Sequence, residues 1–125
     1  MNKQTLDQLS ERVIGLAIEV HRNLGPGLLE SLYESALCFE LESSGLPFER
    51  QKLLPVSYKG RMIGDFRVDL VVEDALLPEP KSVERHDSVF EAQVLSYLKI
   101  SKLRLGLLLN FNTRLLKDGV KRFIL

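Results

Sequence analysis

Two β-forming runs stand almost back to back in the middle of the chain, Asp65–Val72 and Leu76–Val83, with only Glu73-Asp74-Ala75 between them. So short a spacer calls for a tight hairpin. With Asp74 at its apex, Val72 faces Leu76 and Asp69 faces Glu79. Side chains alternate along a strand, so Lys81 lies on the same face as Glu79. Directly opposed side chains have Cβ atoms roughly 5 Å apart, and two carboxylates so placed repel unless a proton or cation sits between them. Two carboxylates and a lysine on one face can hold a divalent ion and activate a water against a phosphodiester. A one-residue slip would undo that alignment. An Asp followed ten residues later by Glu-x-Lys is also compatible with a charged surface hairpin and a salt bridge.

The segments around the hairpin set the fold class. Leu6, Leu9, Val13, Leu16, Ala17 and Val20 recur at helical spacing, predicting a helix over Leu6–Asn23 that stops at Gly25-Pro26-Gly27. A second helix follows from about Leu28 to Ser44, with Gly45 as its C-terminal cap. Phe48–Tyr58 reads as a strand bent at Pro55, and Lys59-Gly60 is a two-residue turn into Met62–Val72. Ser88–Ser101 is a helix, with Ser88 as N-cap and Glu91 three residues on completing a capping box. Leu103–Asn110 is nearly continuous in apolar character and reads as a buried strand. Lys117-Asp118-Gly119 turns the chain into a last strand, Val120–Leu125. The order ααβββαββ, a hairpin sheet followed by a crossover helix and another strand, implies an α+β fold with a mixed sheet flanked by helices.

A chain of 125 residues, 45% of them apolar, is expected to form one domain, 1–125, with a real core. Cys38 is the only cysteine, which excludes an internal disulfide, and no Cys/His cluster points to zinc. Neither a signal-peptide pattern nor an apolar run near the ~18 residues of a membrane span is present, so a cytoplasmic location away from membranes is expected. Net charge is zero but unevenly spread. Residues 1–98 carry ten Lys/Arg against sixteen Asp/Glu, and residues 99–125 carry seven against one. That basic C-terminal region can meet phosphates, or simply offset the acidic part.

Glu30 and Tyr33 share a face of the second helix, and Gln93 and Tyr97 share a face of the third. Glu30 is also placed where a helix dipole favours an acid. The other polar candidates have plainer roles: His21 near a helix C-terminus, His86 in a solvated loop, Cys38 in the core, and Asn110 and Asn112 in turn chemistry.

Taken together, several motifs carry a family resemblance. They are His21-Arg22-Asn23-Leu24-Gly25-Pro26-Gly27, the spacing Gly27, Glu30, Tyr33, Arg67-Val68-Asp69-Leu70, Glu91 to Lys99, and Gly106 to Phe111. From about Leu6 to Leu125 the chain resembles the small bacterial proteins named for their GxxExxY motif. Those are similar to the PD-(D/E)XK nuclease superfamily, whose core is restriction-endonuclease-like. The resemblance implies metal binding by Glu30, Asp69 and Glu79, with Lys81 joining Asp69 and Glu79 in catalysis. It implies support or substrate contact from Tyr33 and from Gln93 and Tyr97, which match the QxxxY element of RecB-like exonuclease domains. The cofactor implied is Mg²⁺ or Mn²⁺, and the substrate a nucleic acid, DNA.

The chain departs from that pattern at Leu77-Pro78-Glu79-Pro80-Lys81. The prolines remove two backbone N–H donors and fix φ twice, both on the face away from Glu79. They call for an edge strand or a distorted one. The first expectation is a Mg²⁺-dependent nuclease hydrolysing DNA. A second is a catalytically impaired nuclease-fold binding or assembly module, and a third is a scaffold forming a homodimer through a sheet edge.

Overall fold

The computed structural model describes residues 1–125. Helices α1 (Lys3–Leu24) and α2 (Glu30–Ser43) precede strands β1 (Phe48–Tyr58), β2 (Arg61–Val72) and β3 (Leu76–Lys81). Helix α3 (Ser88–Ser101), strand β4 (Leu105–Asn110), a 3₁₀ turn (Leu116–Gly119) and strand β5 (Val120–Ile124) complete the chain. The ααβββαββ order and the mixed sheet hold. The third strand ends at Lys81 instead of Val83, and the fourth begins at Leu105 instead of Leu103.

Local chemistry explains the element ends. Asn2 caps α1, its side-chain oxygen accepting from the Thr5 amide at 2.9 Å. At the end of α2 the Gly45 N–H reaches the Glu42 carbonyl and the Leu46 N–H reaches the Leu41 carbonyl, with Gly45 at φ 71°. This is a Schellman ending, and Leu41 and Leu46 join in the core. The capping box expected at Ser88 and Glu91 does not form. Asp87 caps α3 through the Val89 amide, while Glu91 is taken by His86 and Lys121.

The five strands lie in chain order, β1-β2-β3-β4-β5. Only β3 and β4 are parallel, joined across the sheet by α3. One face carries α1 and α2 over Leu70, Val72, Leu76, Leu105, Leu107 and Leu109. The other carries α3, whose Val94 and Leu98 pack on Val71, Leu77 and Leu108. Gly106 lets that helix sit close, because a Cβ there would lie 2.6 Å from Val94 Cγ1.

The prolines have an outcome that sequence reasoning only half anticipated. β3 is the central strand, not an edge. It pairs with β4 along its whole length, from Leu76↔Leu105 to Lys81↔Asn110. Toward β2 it pairs only at Val72↔Leu76. Backbone groups alternate in direction along a strand, and the Lys81 carbonyl faces β4, where it accepts from Phe111 N. Leu77 and Glu79 therefore also point their backbone toward β4, and Pro78 and Pro80 toward β2. The two missing donors fall on one side, and there the sheet opens into a fork.

Candidate active site

Glu79, Lys81 and Asp69 lie at this fork. Glu79 is 6% exposed and pairs in register with Leu108, on the apolar α3 side of the sheet. Burial, and after it the Asp69 charge, push its carboxyl up from near 4.5 to about 8, against the pull of Lys81. Its Oε2 is buried with no donor in reach. Near neutrality Glu79 therefore holds a proton, which satisfies the condition for two carboxylates to sit this close. Lys81 Nζ lies 3.9 Å from Glu79 Oε1 and 4.9 Å from the centre of the Phe90 ring, so α3 helps hold it.

Glu30 reaches the same region from the opposite layer. Burial raises its carboxyl most, Lys81 lowers it, and Asp69 and Glu34 raise it further. Its position depends on the loop before α2. Ser82, next to Lys81, donates its hydroxyl to the Leu28 carbonyl at 2.6 Å. Tyr33 is fully buried, its ring stacked on Phe111 with centroids 4.5 Å apart. Its hydroxyl donates to the Gly25 carbonyl at 2.6 Å and accepts from Leu28 N at 3.0 Å. Tyr33 thus fixes the turn that launches Glu30.

Tyr97 faces the acids from α3. Burial raises its phenol, and the charges of Glu79 and Asp69 raise it further. Its ring packs on Phe66 with centroids 4.7 Å apart. Gln93 lies one turn earlier, half-buried. Strands β2 and β3 and helices α2 and α3 thus bring Glu30, Asp69, Glu79, Lys81 and Tyr97 into one electrostatic neighbourhood. No three acidic, His or Cys side chains converge as a ready-made metal cage.

Three residues of this neighbourhood were not anticipated. Glu34, one turn beyond Glu30 and 7% exposed, accepts from Arg50 Nε at 2.7 Å and from Gln51 Nε2 at 3.1 and 3.2 Å. The Gln51 amide also lies 3.4 Å from Asp69 Oδ1, so it bridges the two acids. Gln51 has φ 53° and interrupts the β1–β2 register opposite Asp69. The i, i+4 spacing of Glu30 and Glu34 was a usable signal. Nothing in the sequence marked Gln51. His21 proves structural, its Nε2 placed 2.8 Å from the Thr113 carbonyl. His86 is not free in its loop but pairs with Glu91.

No helix is long and apolar enough to cross a membrane. No curated protein and no solved structure matches the chain. The family model described as the PD-(D/E)XK nuclease superfamily matches residues 7–123. That span takes in most of α1, strands β1 to β4 and most of β5, the buried Glu79 and the α3 tyrosine, and the chain belongs to the PD-(D/E)XK nuclease superfamily.

Proposed function

We propose that the protein is a Mg²⁺- or Mn²⁺-dependent nuclease of GxxExxY type that hydrolyses DNA phosphodiester bonds. The observation that carries this reading is Glu79: a buried carboxyl whose Oε2 meets no nitrogen or hydroxyl donor, hydrogen-bonded to the Asp69 side chain and within electrostatic range of Glu30. A buried acid oxygen that no donor reaches and a close second carboxylate suit a hard cation that takes oxygen ligands. The lack of a three-ligand cage is compatible with Mg²⁺, which commonly uses one or two carboxylates and keeps waters. Asp69 and Glu79 would hold the ion, with Glu30 completing its surroundings. When bound, such an ion lowers the pKa of a water and stabilises charge on phosphoryl oxygens.

The chain's own groups supply the rest. Glu79 must release its proton to solvent before it can act as a ligand, and the Lys81 charge beside it favours that release. Lys81, held against Phe90, orients the attacking water or stabilises negative charge on the phosphorane. Tyr97 and Gln93 line the α3 side as substrate supports, and Tyr33 keeps Glu30 in place. Incubation with linear and single-stranded DNA in Mg²⁺ or Mn²⁺ should give cleavage that Asp69→Ala abolishes. Equal activity in both proteins, or none in either, rejects the proposal.

The broken β2–β3 ladder favours a second reading, a nuclease-fold module that binds without cutting. Strand binding without cleavage in either metal would select it.

A further inference from the structure

We propose that the cleft between the end of α1 and the β4–β5 connection binds a backbone phosphate of the nucleic-acid strand. The inference rests on the nuclease reading and adds a subsite away from the carboxylates. The cleft has a volume of about 520 Å³, within the usual range for ligand sites. Arg22, Arg114 and Lys117 line it together with His21, Gly25 and Pro26, and no carboxylate is among its lining residues. None of the chain's ion pairs engages Arg114 or Lys117. Arg22 has only an exposed contact with Glu19 at 3.6 Å, a pairing weak enough to give way to a phosphate.

The cleft's walls are built. His21, buried at 8% exposure, meets the Thr113 carbonyl and ties the residue before Arg114 to α1. Gly25 is held by the Tyr33 hydroxyl, which also holds Leu28. The floor of the cleft therefore continues through one fixed loop to Glu30. Five residues span at most about 18 Å. A strand of B-form DNA rises about 3.4 Å per nucleotide, so Gly25 lies within roughly five nucleotides' length of Glu30. Arginine and lysine without acidic partners, on a fixed frame at that distance, match a strand's phosphates more closely than an isolated small anion.

Fluorescence anisotropy with a labelled single strand of about a dozen nucleotides, in EDTA to prevent cleavage, tests this across a salt series. Arg114→Ala/Lys117→Ala should weaken binding about tenfold or more and flatten the log K against log salt slope by about 0.7 per lost contact. A control removing two exposed lysines elsewhere, Lys3→Ala/Lys59→Ala, should keep both affinity and slope. The proposal fails if the cleft variant matches the wild type, if the control loses as much, or if the wild type does not bind. It also fails if inorganic phosphate at matched ionic strength displaces the strand, which would make the cleft a free-anion pocket. Hydrolysis in Mn²⁺ is scored separately. A wild type that binds through the cleft but never cuts supports the subsite and rejects only the nuclease reading.

Discussion

Glu79 concentrates the electrostatics of the molecule in one side chain. Its proton is retained in the folded state and released in the unfolded one between about pH 4.5 and pH 8. The folded chain binds more protons in that window, so this site's contribution to stability is full below about pH 4.5 and falls as pH rises toward 8. Glu79→Gln removes the titration while keeping the shape. Denaturant unfolding of wild type and variant should show the variant gaining, relative to wild type, roughly 2–4 kcal/mol between mildly acidic and mildly alkaline pH. A stability difference that stays flat with pH would mean that Glu79 is ionised throughout. Gln51 offers a second test at this scale. Its left-handed backbone costs a non-glycine residue about 1 kcal/mol or more. Gln51→Gly should be more stable than Gln51→Ala by about that amount, since both lose the amide and only glycine relaxes the backbone. Equal stabilities would show that the bend carries no strain.

Hairpins and helices followed from turn chemistry and periodicity, while registers and partners depended on contacts between distant segments. Lys59-Gly60 and Glu73-Asp74 were legible because Gly and Asp favour turns with positive φ, and they carry Lys59 and Glu73 into the same region. Val72↔Leu76 followed directly. The β1–β2 register did not, because a bulge at Val56/Ser57 shifts it by one. Counting back from the Lys59-Gly60 turn without that bulge puts Arg50, not Gln51, opposite Asp69. Ser88 was read as the cap of α3, and the structure uses Asp87 because Glu91, which would complete the box at Ser88, is drawn to His86 and Lys121. The closeness of α3 to the sheet is set by Gly106. Gly106→Ala would force its Cβ against Val94 Cγ1, with an expected cost of about 1–3 kcal/mol. Val94→Ala in the same chain should recover part of that loss in a double-mutant cycle. Strict additivity would show that α3 already has room to move.

Across the whole molecule, the site draws on the central sheet and on the layers packed on both its faces. Asp69, Glu79 and Lys81 come from its strands, Tyr97 and Gln93 from the helix on one face, and Glu30 from the layer on the other. Pro78 and Pro80 withhold donors from β2, and the β2–β3 ladder is paired only at Val72↔Leu76. The prolines thus interrupt the ladder beside the acid they flank while leaving the β3–β4 pairing whole. The acids, the lysine and the α3 tyrosine were legible as spaced residue types. The depth of Glu79's burial was not, because it depends on Leu77, Leu108 and α3 packing around it. The proposal turns on whether this buried, protonated glutamate takes a divalent ion as a ligand. Calorimetric titration of the wild-type protein with Mn²⁺ near neutral pH, in two buffers of different ionisation heat, measures it most directly. The account predicts binding near the micromolar range with release of about one proton per ion, and loss of both in Glu79→Ala. Binding that persists unchanged in Glu79→Ala, or no binding by the wild type, would contradict it.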